Sequence, residues 1–108
     1  MHNRTTEVNE FSYKAIAILQ KIPSGQVSTY GTVAFLAGSP GGARQVARIL
    51  HSSSKKYNLP WHRVVNCEGK ISPRPSMSHL EQHTLLKNEG IEISKDHVVD
   101  LEVYLCLS

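Results

Sequence analysis

The sequence predicts a mainly α domain organised around a helix-turn-helix, with short extended segments. Three observations carry this. Apolar residues recur at helical spacing in three successive stretches of the first half. A Gly/Pro breaker separates the second stretch from the third. The third carries basic residues on a face other than its apolar one. A length of 108 residues suits one domain with one core.

The first helix is expected over residues 9–22, where Phe11, Ala15, Ile18, Leu19 and Ile22 fall on one side and Pro23 ends the pattern. Ser24 and Gly25 make a turn, and Gln26 and Val27 suit an extended conformation. Ser28 or Thr29 can N-cap a short second helix, with Val33, Ala34, Leu36 and Ala37 facing inward and Gly38 closing it. The breaker Ser39, Pro40, Gly41, Gly42 follows, and a third helix is expected over residues 42–51. Its apolar stripe is Ala43, Val46, Ala47 and Leu50; Arg44, Arg48 and His51 line another face. Residues 52–58 are polar and read as a loop. Residues 61–66 suit a short strand or a buried extended segment, Glu68 and Gly69 a turn, and residues 71–77, with two prolines, a loop. Ser78 and Glu81 form a capping box for a helix running through Leu80, Leu85 and Leu86 to Gly90. The tail, residues 91–107, alternates in part and leaves strand and helix both open. No repeat, low-complexity tract or interdomain linker interrupts the chain, so residues 1–108 read as a single domain.

Composition narrows the function class. The chain is 40% hydrophobic and 19% charged, which is globular and not disordered. No apolar run approaches the about 18 residues a membrane helix needs, and the polar residues 1–10 carry no signal-peptide core. Two cysteines, Cys67 and Cys106, are too few for a disulfide scaffold, so a reducing compartment is expected. The formal charge of +3 hides a strong segregation: residues 11–75 sum to +8, residues 76–108 to −4 and residues 1–10 to −1. A basic body of this kind suits a polyanion.

Most catalytic chemistries find no footing. His79 and His83 lie four apart on a predicted helix, but the stretch reads HLEQH, not HExxH, and no third ligand follows at motif spacing. Neither cysteine sits in a reactive-thiol motif, and Gly38, Gly41 and Gly42 match neither a P-loop nor a dinucleotide fingerprint. The most unusual stretch is Pro60, Trp61, His62, Arg63, Val64, which holds the only Trp. On its own, Trp61 suits a core position as well as an aromatic wall for a planar base.

Several segments together carry a family resemblance. They are IPSGQVSTYG at residues 22–31, ARQV at 43–46, PWHRVV at 60–65, GKI at 69–71 and LLKNEG at 85–90. In their order and spacing the chain resembles the O6-alkylguanine-DNA alkyltransferase family, over about residues 9–93. The resemblance implies a winged-helix-like helix-turn-helix of the alkyltransferase C-terminal type, with the helix-turn-helix at about 28–51, a lesion-pocket motif at 60–65 and a binding loop at about 69–77. One departure matters most. The enzymes read Pro-Cys-His-Arg-Val and the Cys accepts the alkyl group; here Trp61 stands in that place and offers no thiolate. PWHRV is the mark of the alkyltransferase-like class, which binds O6-alkylguanine in DNA without repairing it and signals to nucleotide-excision repair.

That resemblance implies roles residue by residue. Tyr30 presses on the target phosphate and helps rotate the nucleotide outward, and Arg44 enters the base stack in its place. Trp61 lines the pocket for the alkylated base, the carbonyls of Trp61 and Val64 accept from the exocyclic amine of guanine, and Arg74 contacts the guanine from the following loop. His62 and Glu89 match the pair that activates the cysteine in the enzymes and read here as retained scaffold, while Arg63 is expected to brace the loop or the helix-turn-helix internally. Where the enzymes carry an Asn hinge eight residues before the reactive position, this chain has Ser53. The recognition helix is expected in the minor groove, which small Gly41, Gly42, Ala43 and Ala47 permit. The expected partners are double-stranded DNA containing O6-alkylguanine and nucleotide-excision-repair proteins. No cofactor, metal or membrane is expected, the chain is read as a monomer, and its place is the cytoplasm with the nucleoid in a bacterium or the nucleus in a eukaryote. A small helix-turn-helix transcriptional regulator is the alternative; it would leave the Trp61 motif unexplained. An alkyltransferase using Cys67 would need that thiol six residues from where the chemistry requires it.

Overall fold

The computed structural model describes residues 3–71 and 79–106, with side chains from residue 10 onward. Among them the chain forms α1 (Asn3–Gln20), β1 (Ser28–Thr29), α2 (Tyr30–Leu36), α3 (Ala43–Tyr57), a 3-10 turn (Trp61–Arg63), β2 (Val64–Val65), α4 (His79–Asn88) and α5 (Leu101–Tyr104). Ser78, Arg74 and the proline loop lie outside the described residues.

α1 begins six residues before its expected start at residue 9 and ends two before Ile22. Once Ala15, Ile16 and Leu19 are buried, the inner turns anchor a polar first stretch that has no stripe of its own. Lys21 and Ile22 donate to the carbonyls of Ile18 and Leu19, tightening the exit before Pro23.

α2 is capped by Thr29, whose hydroxyl accepts from the Thr32 amide at 3.0 Å. It closes through Gly38, which donates to Phe35 O, and Ser39, which donates to Ala34 O. Val33, Ala34 and Ala37 face inward as expected, but Leu36 does not; it is 38% exposed, beside Phe35 at 64%. Only two turns long, α2 buries one narrow edge, and Leu36 falls outside it.

α3 also departs from expectation. It runs on through the polar stretch to Tyr57 instead of ending at His51. Its far end is held by the core, against which Tyr57 packs and in which Leu59 is buried, and the polar stretch between is accommodated as Ser52 Oγ donates to Arg48 O and Ser54 Oγ to Leu50 O, each four residues back. Asn58, at φ 53, ends it in the left-handed conformation, with Leu59 N–H returning to Ser54 O.

The stretch expected to be strand or extended is a 3-10 turn followed by a strand of two residues, β2, which pairs in parallel with β1 (Ser28 with Val64, Thr29 with Val65). α4 carries Leu86 inward, but Leu80 is 68% exposed, so the buried stripe is Gln82 and Leu86, one turn apart. The undecided tail resolves into isolated bridges and one short helix. Ile93 bridges Val99, Lys70 bridges Val98, and Leu105 runs parallel beside Val27. Asp100 caps α5 by accepting from Glu102 N.

Two apolar clusters hold these elements. The larger joins α1, α2 and α3 through Ala15, Leu19, Val33, Val46 and Leu50 and reaches Val64. The smaller joins Val27, Val65, Ile71, Leu86, Ile91 and Val99. Val64 and Val65 alternate between them, so the two-residue sheet is the seam. Each fully buried Leu or Val contributes about 1.5–3 kcal/mol by leaving water.

Candidate nucleic-acid interface

The basic face is on α3. Arg44, Arg48, His51 and Lys55 recur every three or four residues and are all exposed. No acidic residue occurs anywhere in this helix. Its N-terminus, at Gly42, has no side-chain cap and no acid in the first turn, so the positive end of the helix dipole adds to the side chains. Gly42 sits in a tight place: a Cβ there would stand 2.8 Å from Gln45 Oε1, which can swing away, and 3.1 Å from Phe11 Cζ and from Ser39 O. The turn of the helix-turn-helix is thereby pressed against α1.

Tyr30 opens α2 directly after β1 and is 8% exposed. It belongs to the larger core cluster, against which the half-buried Trp61 also packs.

Trp61 is held by its own turn. Arg63 N–H donates to Pro60 O at 2.9 Å, and Val64 N–H to Trp61 O. The His62 ring stands edge-on to the indole, with centroids 6.0 Å apart and planes at 82°.

Beneath the turn is a polar clamp centred on Glu89. His62 Nε2 lies 2.8 Å from Glu89 Oε2. Arg63 donates from Nε to both carboxylate oxygens, at 3.1 and 3.0 Å, and from one terminal nitrogen to Oε2 at 2.8 Å. Its other terminal nitrogen donates to Ile22 O at 2.8 Å. Gly25 N–H donates to Glu89 Oε1 at 3.1 Å, from a φ of +89 that other residues adopt only under strain. Burial alone would push the Glu89 carboxyl up; the bonds from Arg63, His62 and Gly25 overcome it and hold the pKa down to about 2. Three distant pieces of chain, the turn after α1, the Trp61 turn and the end of α4, are locked by this one carboxylate. Arg63 is thus an internal brace, and its bonds run to Glu89 after α4 and to Ile22 after α1 rather than to the helix-turn-helix.

The remaining sequence candidates are placed as follows. The Val64 carbonyl is buried and accepts from Gln82 Nε2 at 3.0 Å. Ser53, at the hinge position, lies within α3 with its hydroxyl 3.3 Å from that of Ser52. Arg74 lies outside the described residues. His79 and His83 meet His97 from the tail, at ring-centroid distances of 6.3 and 5.6 Å. Burial first, then the charges of His97, Lys87 and His79, lower the His83 pKa. Among the described residues no group of three His, Cys, Asp or Glu side chains is arranged to hold a metal ion. Cys67 is exposed and Cys106 buried.

Sequence reasoning missed two residues. Gly25 read only as a turn, though it supplies a bond to Glu89. Gln82 was not singled out; the signal was a polar residue one turn before Leu86, on the stripe α4 buries.

Fold and site together define a helix-turn-helix DNA-binding domain whose second helix is basic and whose core is tied to a Trp-bearing turn. A profile of the 6-O-methylguanine DNA methyltransferase DNA-binding domain matches residues 10–91. The chain belongs to that family. It is 39% identical over 97 residues to a DNA base-flipping protein of Vibrio parahaemolyticus, covering 90% of this chain and 96% of that one. It is 40% identical to alkyltransferase-like protein 1 of Schizosaccharomyces pombe, covering 80% and 81%. The crystal structure of S. pombe Atl1 in complex with damaged DNA containing O6-carboxymethylguanine superposes with a TM-score of 0.81 at 35% identity, over 91% of this chain and 95% of the other. The Mycobacterium tuberculosis OGT in complex with DNA superposes at 0.57 and 27% identity, over 73% and 48%. No described helix is long and apolar enough to cross a membrane.

Proposed function

We propose that this protein recognises O6-alkylguanine in duplex DNA, turns the damaged nucleotide out of the helix and holds it without removing the alkyl group. The observation that carries this reading is Trp61 at the head of the turn braced by His62, Arg63 and Glu89. The family's enzymes need a thiolate acceptor at that place. An indole has no comparable nucleophile but offers a broad apolar wall to an alkylated base. His62 and Glu89, the activating pair in the enzymes, then serve as scaffold.

In this reading α3 docks along the minor groove, with Arg48 and Lys55 on phosphates and Arg44 filling the gap left by the extruded nucleotide. Tyr30 presses on the target phosphate. The Trp61 and Val64 carbonyls accept from the exocyclic amine, and Arg74 contacts the guanine. O6-alkylation weakens pairing, so extrusion of the damaged base costs less than that of its normal counterpart. The lesion is then passed to nucleotide-excision-repair proteins by the protein acting as a monomer, in the cytoplasm of a bacterium or the nucleus of a eukaryote. The similarity to a base-flipping protein and to Atl1 supports the reading.

The test is a matched pair of duplexes, one with a single O6-methylguanine carrying a labelled methyl group. The protein is expected to bind the modified duplex far more tightly and to leave all label on DNA. Label recovered on protein would overturn the reading, and equal affinity for both duplexes would favour the sequence-reading regulator.

A further inference from the structure

The least expected side chain in the interior is Gln82. It lies on α4, is only 4% exposed, and occupies a position on the buried stripe where an apolar residue would suffice to pack beside Leu86. A buried carboxamide carries a desolvation penalty that only directed hydrogen bonds offset. Here both bonds are made by one nitrogen: Gln82 Nε2 donates to His62 O at 3.1 Å and to Val64 O at 3.0 Å. These two carbonyls flank Arg63 and belong to the turn that Trp61 opens. An amide nitrogen has two protons, and this geometry directs one at each carbonyl.

The consequence falls on the Val64 oxygen. A carbonyl oxygen has two lone pairs in the plane of its peptide, and a donor on one fixes the direction of the other. The Trp61 oxygen is fixed in the same way by Val64 N–H. We infer that Gln82 is a positioning residue for base selection: Val64 is buried in the unbound protein, and from the far side of the turn Gln82 holds its carbonyl so that, once an entering guanine uncovers it, the second lone pair meets the exocyclic 2-amino group. Gln82 itself touches no DNA in this arrangement. It makes the pocket selective for purines bearing that amine, whatever the substituent at O6. The inference rests on the proposed role of the Trp61 and Val64 carbonyls.

The experiment measures binding by fluorescence anisotropy to duplexes containing O6-methylguanine or O6-methylhypoxanthine, which differ only in the 2-amino group. One well-directed hydrogen bond corresponds to about a tenfold preference for the amine-bearing base. Gln82→Met, of similar volume and without donors, is expected to reduce that preference to about twofold while still melting cooperatively. Gln82→Lys is expected to restore it, because an ammonium on a long stem brings donors to the same two carbonyls. A loss caused by poor packing alone would weaken both duplexes equally and leave the ratio intact. A ratio near one in the unaltered protein overturns the carbonyl reading and this inference with it. A normal ratio that survives Gln82→Met overturns the inference alone. If Gln82→Met does not fold, the unaltered protein decides. Its Gln82 side-chain amide resonances are expected to shift on adding the O6-methylguanine duplex and to move much less with O6-methylhypoxanthine; equal shifts overturn the proposal.

Discussion

Glu89 illustrates how much one side chain can hold at the residue scale. Its carboxylate is 13% exposed and faces an Arg63 that is 19% exposed, so neither charge is well solvated when alone. Removing one member of such a pair leaves the other uncompensated. Glu89→Gln is therefore expected to lower stability by about 2–3 kcal/mol, read as a shifted denaturant midpoint at constant slope. Arg44→Ala is a change of a different kind. Arg44 is exposed, so stability should stay within about 0.5 kcal/mol. Lesion binding should fall, with the loss concentrated in the extruded state. A 2-aminopurine placed at the target site would report this as a smaller fluorescence rise on binding. Tyr30→Ala should lose both binding and stability, because Tyr30 is part of the core.

At the scale of elements, α3 has its own signature. Arg48 and Lys55 lie on the exposed basic face without an acid on the helix to neutralise them. Each phosphate contact adds about one to the slope of log affinity against log salt concentration. Replacing either by Gln is expected to reduce that slope by about one for undamaged and damaged duplexes alike, measured by titration across a salt series. The start of α3 was legible in the sequence because Gly41 and Gly42 punctuate it, and α2 was legible through Thr29 and Gly38. The end of α3 was not. Ser52, Ser53, Ser54 and Lys55 carry no apolar stripe and resemble a loop, and the backbone bonds of their hydroxyls become evident only once the helix exists. Much of the candidate site was legible through PWHRV and LLKNEG, which place His62, Arg63 and Glu89. The arrangement among them was not. Gly25 and Ile22 join the clamp from across the fold, and Gln82 reaches the carbonyls of the Trp61 turn from a helix whose pattern suggested an ordinary apolar face.

At the scale of the whole molecule, two of the described groups, Glu89 and His83, give stability a dependence on acid. Glu89 has a folded pKa of about 2 against an ordinary 4.5. Its stabilisation is present above the ordinary value and is lost as pH falls from there toward 2. His83 has a folded pKa lowered from 6.5, so its neutral form is the one that suits the fold. The unfolded chain takes up that proton first, and stability declines as pH falls through and below 6.5. Urea midpoints measured at pH 7.5, 5.5 and 3.5 should therefore fall at each step. The first decline should shrink in a His97→Gln variant, because His97 adds to the lowering of the His83 pKa.

The two-residue sheet has a kinetic consequence. Contacts among α1, α2 and α3 join neighbours along the chain, whereas β1 must find β2 across 36 positions and Gly25 must find Glu89 across 64. Pairings between near neighbours form sooner than those that close long loops. The helices that present the basic face are thus expected to form ahead of the locking of the Trp61 turn. A chain at that stage would cling to DNA while it still lacked any means of telling a damaged base from a sound one.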